Sequence, residues 1–249
     1  MKDVYKTQAL ENIEVKNLWL KRGTYQIFED FSYSFPAGKV TALMASSGAG
    51  KTSLLDCIAG LLKPNQGCIT GGGSVSYLFQ EPRLLPWYSL EKNVMLPVES
   101  LLGRETAKER SDTFLKAVNL EEKIDSLPTQ CSGGQRQRCA IARAFAYPST
   151  VLLMDEAFQA QDIKLKLLLM ELTEQLLERE GRTALLVTHD VSEALALAHH
   201  VLVLAGSPLQ VVGEFEGASK SQPMSQRYIK GDSNSAKSRE AILKLLCES

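Results

Sequence analysis

"TALMASSGAGKTSLLDCIAGLL", Thr41 to Leu62, is the stretch from which the fold can be read. The apolar run Val40 to Met44 leads into Ser46-Ser47-Gly48-Ala49-Gly50-Lys51-Thr52-Ser53 and then into leucines at helical spacing. Strand, glycine-rich loop and helix, in that order, make a phosphate-binding loop. Glycines let backbone N–H groups converge on phosphate oxygens, the helix amino terminus adds positive potential, Lys51 adds a full charge, and the Thr52 hydroxyl suits magnesium. The eight-position pattern G-x-x-x-x-G-K-[ST] starts at residue 45, and seven positions comply; the first is Ala45. A Cβ there costs about 1–2 kcal/mol if the backbone is left-handed and little at negative φ. The exchange therefore weakens nucleotide binding by roughly tenfold at most, and the loop is expected to work.

Working outward, further apolar runs of the buried-strand type lie at Val75 to Phe79, Val151 to Met154, Ala184 to Val187 and Val201 to Leu204. Helical segments separate most of them. After Lys51, Leu54, Leu55, Ile58, Leu61 and Leu62 share one helical face, as do Leu165, Leu168, Leu169, Leu172 and Leu176 within Ile163 to Glu180. Such alternation predicts an α/β fold with a mostly parallel sheet. Earlier in the chain, Phe31, Tyr33 and Phe35 alternate with Ser32 and Ser34, which predicts a half-buried antiparallel strand ended by Pro36-Ala37-Gly38.

Between Arg83 and Pro148 no strand signal is present, whereas "ETAKERSDTFLKAVNL" and "GGQRQRCAIARAFA" have helical composition. The expected organisation is one domain over residues 1–249, with residues 12–82 and 149–216 forming the α/β core and an amino-terminal antiparallel β subdomain. Residues 83–148 form an inserted α-helical subdomain, and residues 217–249 a closing loop and helix. Gly217 to Ser238, rich in Ser, Lys, Gln and Gly, reads as a surface loop, followed by a short helix "SREAILKLLCES" capped by Ser238.

Composition narrows the function classes. A chain of 249 residues with 44% hydrophobic content fills a sizeable core. A net charge of -1 with interspersed signs gives no footprint of a nucleic-acid binder. Five cysteines, Cys57, Cys68, Cys131, Cys139 and Cys247, are odd in number and contain no CxxC pair, which argues against a disulfide framework or a zinc site and fits a reducing cytosol. The amino terminus has no signal-peptide core, and no apolar run approaches the ~20 residues needed to cross a bilayer, so work at a membrane is expected to go through a partner.

The second decisive stretch is "CSGGQRQRCAIARAFAYPSTVLLMDEAF", Cys131 to Phe158. Asp155, at the carboxyl end of an apolar strand where α/β sheets place ligands, suits a magnesium shell, and Glu156 beside it suits polarising a water. Together with the phosphate loop this stretch resembles the ATP-binding cassette (ABC) ATPases, over about Glu14 to Leu204. Ser132-Gly133-Gly134-Gln135 is similar to the family's signature, and "VLLMDE" to its Walker B strand. His189, in "LLVTHD", matches the switch histidine that reaches the γ-phosphate. Gln80, closing "VSYLFQ", matches the Q-loop glutamine, whose amide can accept from water and coordinate magnesium. Asp162 matches the D-loop aspartate and can also cap the following helix. Tyr25 is the expected adenine-stacking aromatic, with Trp19 the upstream candidate.

The resemblance implies an ATPase using ATP and Mg2+. It also implies a twofold dimer with an identical or related cassette, in which the signature of one subunit completes the nucleotide site of the other. Catalysis would rest on Glu156, His189 and Gln80, with Thr52, Gln80 and Asp155 at the metal. "FQEPRLLPWYSLEKNV", Phe79 to Val94, is similar to cassettes of importers for nitrate, sulfonates, taurine and related nutrients. Partners would be the permease's transmembrane subunits and, indirectly, an extracytoplasmic substrate-binding protein, with the cassette at the cytoplasmic face of the membrane and no nucleic acid involved.

The chain also departs from the family. Ala157 stands where proline usually follows the glutamate, removing a restraint on Glu156. "QAQD" replaces Gly-Ala-Leu-Asp, Cys131 replaces leucine, and "AGSPLQVVGEFEG" lacks the basic Arg-Pro-Gly-Arg stretch common in the subfamily. Ala45, Ala157 and "QAQD" motivate an alternative reading: a degenerate cassette that binds ATP and gates or assembles a complex with little hydrolysis.

Overall fold

A computed structural model describes residues 10–247 apart from Ala160 and Asp232. The signal-peptide reading of the amino terminus falls largely on residues 1–9, outside the described residues. Strands β1 (Ile13–Arg22) and β2 (Tyr25–Phe35) form an antiparallel hairpin, and β3 (Val40–Met44) then runs through the phosphate loop into α1 (Lys51–Ile58). Next come β4 (Gln66–Thr70) and β5 (Val75–Leu78), followed by the helices α2 (Leu90–Leu102), α3 (Arg104–Ala117) and α4 (Gly133–Ala146). The chain returns as β6 (Val151–Asp155), α5 (Ile163–Glu180), β7 (Thr183–Val187), α6 (Val191–Leu197), β8 (His200–Ala205) and β9 (Gln210–Glu216). Two helices close it, α7 (Met224–Ile229) and α8 (Ser233–Cys247).

The main sheet has the order β5-β6-β7-β3-β8-β9, with every neighbouring pair parallel except β8 and β9. A second, antiparallel sheet has the order β2-β1-β4. Period-two alternation along the buried central strands feeds two cores. Ala42, Met44, Leu152, Met154 and Leu186 join the core shared with α2 to α6, whereas Leu43, Leu153, Leu185 and Val187 pack against α1 and the aromatics of β2. Phe31 and Phe35 are buried and Ser32 and Ser34 exposed, as the alternation predicts. The α/β fold with an antiparallel β unit and a helical insertion is therefore observed.

Three local expectations are corrected. Helix α1 stops at Ile58, so Leu61 (69% exposed) and Leu62 (37%) fall outside it and off its buried face. In α5 the buried stripe is Leu169, Met170, Leu172, Thr173, Leu176 and Leu177, while Leu168 faces solvent. Gly217 to Ser238 is not a plain loop: it holds α7 and the start of α8, so Ser238 lies within a helix and caps nothing. Arg227 explains the docking of α7. Its guanidinium is buried on the Glu174 carboxylate of α5 and bonds the Gln222 and Ala196 carbonyls, partners invisible in local composition.

Candidate functional site

Strand β7 lies between β3 and β6, and Val187 pairs with both Leu43 and Asp155. Three strand ends therefore meet: β3 delivers the phosphate loop, β6 delivers Asp155 and Glu156, and β7 delivers His189. In the loop, Gly48 (φ +75°) and Gly50 (φ +116°) occupy the left-handed region, and a Cβ on Gly50 would overlap Ile27 Cγ2. Ala45 is buried and is not among the described non-glycine residues with positive φ, so its Cβ falls in the inexpensive case.

Lys51 is 5% exposed and donates from Nζ to the carbonyls of Ala45 and Ser46, 2.9 Å each. Burial lowers its pKa, opposed by the nearby Glu156 and Asp155 charges. Thr52 Oγ1 donates to Asp155 Oδ1 at 3.3 Å. Burial raises the Asp155 pKa; the Thr52 hydrogen bond and Lys51 oppose the rise, whereas Glu156 and Asp56 reinforce it. A hydroxyl beside a carboxylate is a hard-oxygen donor pair of the kind that holds magnesium together with phosphate oxygens. Among the described residues no group of three or more His, Cys, Asp or Glu side chains is placed to hold a metal ion.

Glu156 has φ +50°, an uncommon conformation for a side chain of this kind. Its N–H donates to Val187 O at 2.9 Å, and its carbonyl accepts from the Gln159 N–H at 3.1 Å, so a tight turn rather than proline sets its direction. The Ala157 carbonyl accepts from Gln137 Nε2 of α4 at 2.7 Å. His189 Nδ1 lies 3.6 Å from Glu156 Oε1 and 2.7 Å from Gln159 Nε2.

The remaining sequence-predicted residues surround this centre or stand apart from it. Asp162 caps α5, Oδ1 accepting from the Lys164 and Leu165 amides at 3.1 Å. Ser132 and Gln135 form a reciprocal capping box on α4, with Ser132 and Gly133 exposed and Gly134 packed so closely on Leu165 that a Cβ there would meet Cδ2 at 2.7 Å. Gln80 lies in a bend two residues beyond the end of β5, whose last residue, Leu78, pairs with Met154 just before Asp155. Tyr25 is 46% exposed, two residues before the Ile27 that abuts Gly50. Sequence reasoning missed Gln137 and Arg143, whose guanidinium holds the Pro82 and Arg83 carbonyls, and it treated Gln159 only as a deviation. No local pattern announces these long-range contacts.

A phosphate loop, a strand-end acid pair and a histidine just beyond the intervening strand, with a helical insertion between them, define a nucleotide-hydrolysing cassette. The family model described as ABC transporter matches residues 28–159, and the chain belongs to that family. It is 40% identical to the aliphatic sulfonates import ATP-binding protein SsuB of Rhodopseudomonas palustris (strain BisA53), over 77% of this chain and 70% of that protein. It is 38% identical to aliphatic sulfonates import ATP-binding protein SsuB 1 of Pseudomonas savastanoi pv. phaseolicola (strain 1448A / Race 6), over 81% and 83% respectively. Among solved structures it is similar to the dimeric post-hydrolysis state of the ATP-binding cassette MJ0796 bound to ADP and Pi. The TM-score is 0.72 at 27% identity, covering 83% of this chain and 99% of that one. The chain is accordingly an ATP-binding, ATP-hydrolysing cassette.

Proposed function

We propose that this cassette energises a membrane importer for small nutrients of the nitrate, sulfonate and taurine class. The observation that carries the reading is the convergence of Lys51, Thr52, Asp155, Glu156 and His189 at three adjacent strand ends. The relatives' names, aliphatic sulfonates import ATP-binding proteins, support the importer and the sulfonate part of that class. None of the described helices is long and apolar enough to cross a membrane. In this reading a permease forms the pathway and the cassette docks at its cytoplasmic face, as the import relatives' names suggest.

Phosphoryl transfer depends on positioning and charge more than on covalent chemistry. Backbone amides of residues 46–53 would cradle the ATP phosphates, and Lys51 Nζ would exchange the Ala45 and Ser46 carbonyls for phosphate oxygens. Thr52, Asp155 and Gln80 would hold Mg2+, which neutralises charge on the phosphate oxygens when bound. Glu156 would polarise the attacking water, His189 would contact the γ-phosphate, and Tyr25 would stack on adenine. Ser132 to Gln135 at the start of α4, with Ser132 and Gly133 exposed, would complete the site of a second cassette, with Asp162 near the join. ATP then favours the closed dimer and hydrolysis releases it. A substrate-binding protein outside the cell would deliver cargo to the permease.

Magnesium-dependent ATP hydrolysis, with and without the permease, tests the reading. Turnover lost in both Lys51→Ala and Glu156→Gln, with ATP still bound by Glu156→Gln, is the expected result. A wild-type chain that binds ATP but turns over no faster than Glu156→Gln would instead establish the degenerate, nucleotide-gated cassette.

A further inference from the structure

Gln159 occupies a position where the family resemblance leads one to expect glycine, and its side chain is used. Its N–H closes the turn onto the Glu156 carbonyl at 3.1 Å, fixing its Cα beside the strand end. From there Nε2 reaches His189 Nδ1 at 2.7 Å, across 30 residues of sequence. Glu156 Oε1 stands 3.6 Å from the same Nδ1. The His189 side chain is 60% exposed, so packing does little to orient it.

We propose that Gln159 is a positioning residue that fixes the tautomer of His189: its amide N–H donates to Nδ1 and so confines the ring proton to Nε2. A neutral imidazole has one donor and one acceptor nitrogen, and the partner of one sets the role of the other. With Nδ1 satisfied by an amide donor, Nε2–H is presented from the opposite edge of the ring as a donor for a phosphate oxygen. A second consequence concerns Glu156. If Nδ1 carried the proton, the carboxylate 3.6 Å away would be its charged acceptor, and the group needed at the water would be drawn onto the histidine. The Gln159 amide fills that place and leaves Glu156 free. The inference rests on the reading of His189 as the group that contacts the γ-phosphate.

The experiment compares the full-length wild type with Gln159→Leu and Gln159→Glu. Nitrogen-15 NMR of the imidazole reports the tautomer without reference to turnover, and ATPase kinetics supply kcat and KM. Wild type should show an unprotonated Nδ1 and a protonated Nε2, and Gln159→Leu should mix the two tautomers. Gln159→Glu, able only to accept when ionised, should favour Nδ1–H and lower kcat about tenfold or more, below Gln159→Leu, with KM for ATP within about twofold. Melting temperatures of the three proteins should agree. A wild-type ring protonated on Nδ1, or a Gln159→Glu protein as active as wild type, would overturn the proposal. Unchanged turnover in Lys51→Ala and Glu156→Gln would instead count against the site reading, and the NMR result would stand apart from it.

Discussion

Gln137 donates from Nε2 to the carbonyl oxygen of Ala157 at 2.7 Å, joining the helix that Ser132 caps to the residue that follows Glu156. The amide is fully buried, so the bond is shielded from water, while its own Oε1 has no partner. Gln137→Met leaves the Ala157 carbonyl unpaired, a loss of about 1–3 kcal/mol, but also removes one unsatisfied acceptor. A loss near the lower end is expected in urea denaturation, together with reduced kcat because the turn that aims Glu156 loosens. An unchanged kcat in the folded variant would show that this tie does not bear on Glu156.

Ala45 and Gly50 bracket the phosphate loop with opposite demands. Ala45→Gly adds backbone freedom to the unfolded chain and should cost about 0.5–1 kcal/mol, while ATP affinity stays within about twofold. Gly50→Ala meets both the positive φ and the Ile27 side chain, and should weaken ATP binding by about tenfold or more. Titration with a fluorescent nucleotide separates the two. Tenfold tighter binding by Ala45→Gly would mean that the missing glycine matters after all.

Glu193 lies fully buried on α6, with Lys166 Nζ 3.6 Å from its Oε2 and only weak, long hydrogen bonding from Thr188 and Lys166. Burial pushes its pKa up to about 7; Lys166 opposes the rise and Asp190 adds to it. The raised acid keeps its proton in the folded state between pH 4.5 and about 7, where the unfolded chain has released it. Its contribution to stability is therefore full below that window and lost as pH rises through it. Glu193→Gln should melt above wild type at pH 8, and the gap should close towards pH 5. An equal gap at both values would contradict the assignment.

Trp87 is 67% exposed although its loop is held firmly. Asn93, 2% exposed, accepts the Leu85 N–H at 2.7 Å and donates to the Leu85 and Tyr88 carbonyls at 3.1 and 3.0 Å. A rigid loop presenting an aromatic ring is a ready anchor for a protein partner. Trp87→Ala should weaken binding to the permease by about tenfold, measured in detergent with purified subunits. Wild-type affinity in that variant would remove Trp87 from the docking surface.

Legibility in the sequence followed burial. The fully buried strands β3, β6 and β7 were read close to their observed bounds, because continuous apolar runs have few alternatives. Strands β1, β4 and β9 carried weaker signals. In β1 the pairing shifts register several times and lysines interrupt the pattern, while β4 and β9 are half-exposed or exposed throughout. Helix α7 was missed because Arg227 is anchored on Glu174, 53 residues earlier.

The sequence by itself determined the strand-loop-helix around Lys51, the acid pair after an apolar strand, the α/β class and the family resemblance. These are encoded by residues adjacent in the chain, where spacing alone fixes the chemistry. Only the tertiary structure decided the backbone at Ala45, which lies outside the left-handed region, and the turn that holds Glu156 at positive φ. It likewise decided that the Gln159 amide meets His189. Backbone sign and side-chain partner depend on which strands lie side by side, and the sheet order β6-β7-β3 brings together segments separated by more than a hundred residues.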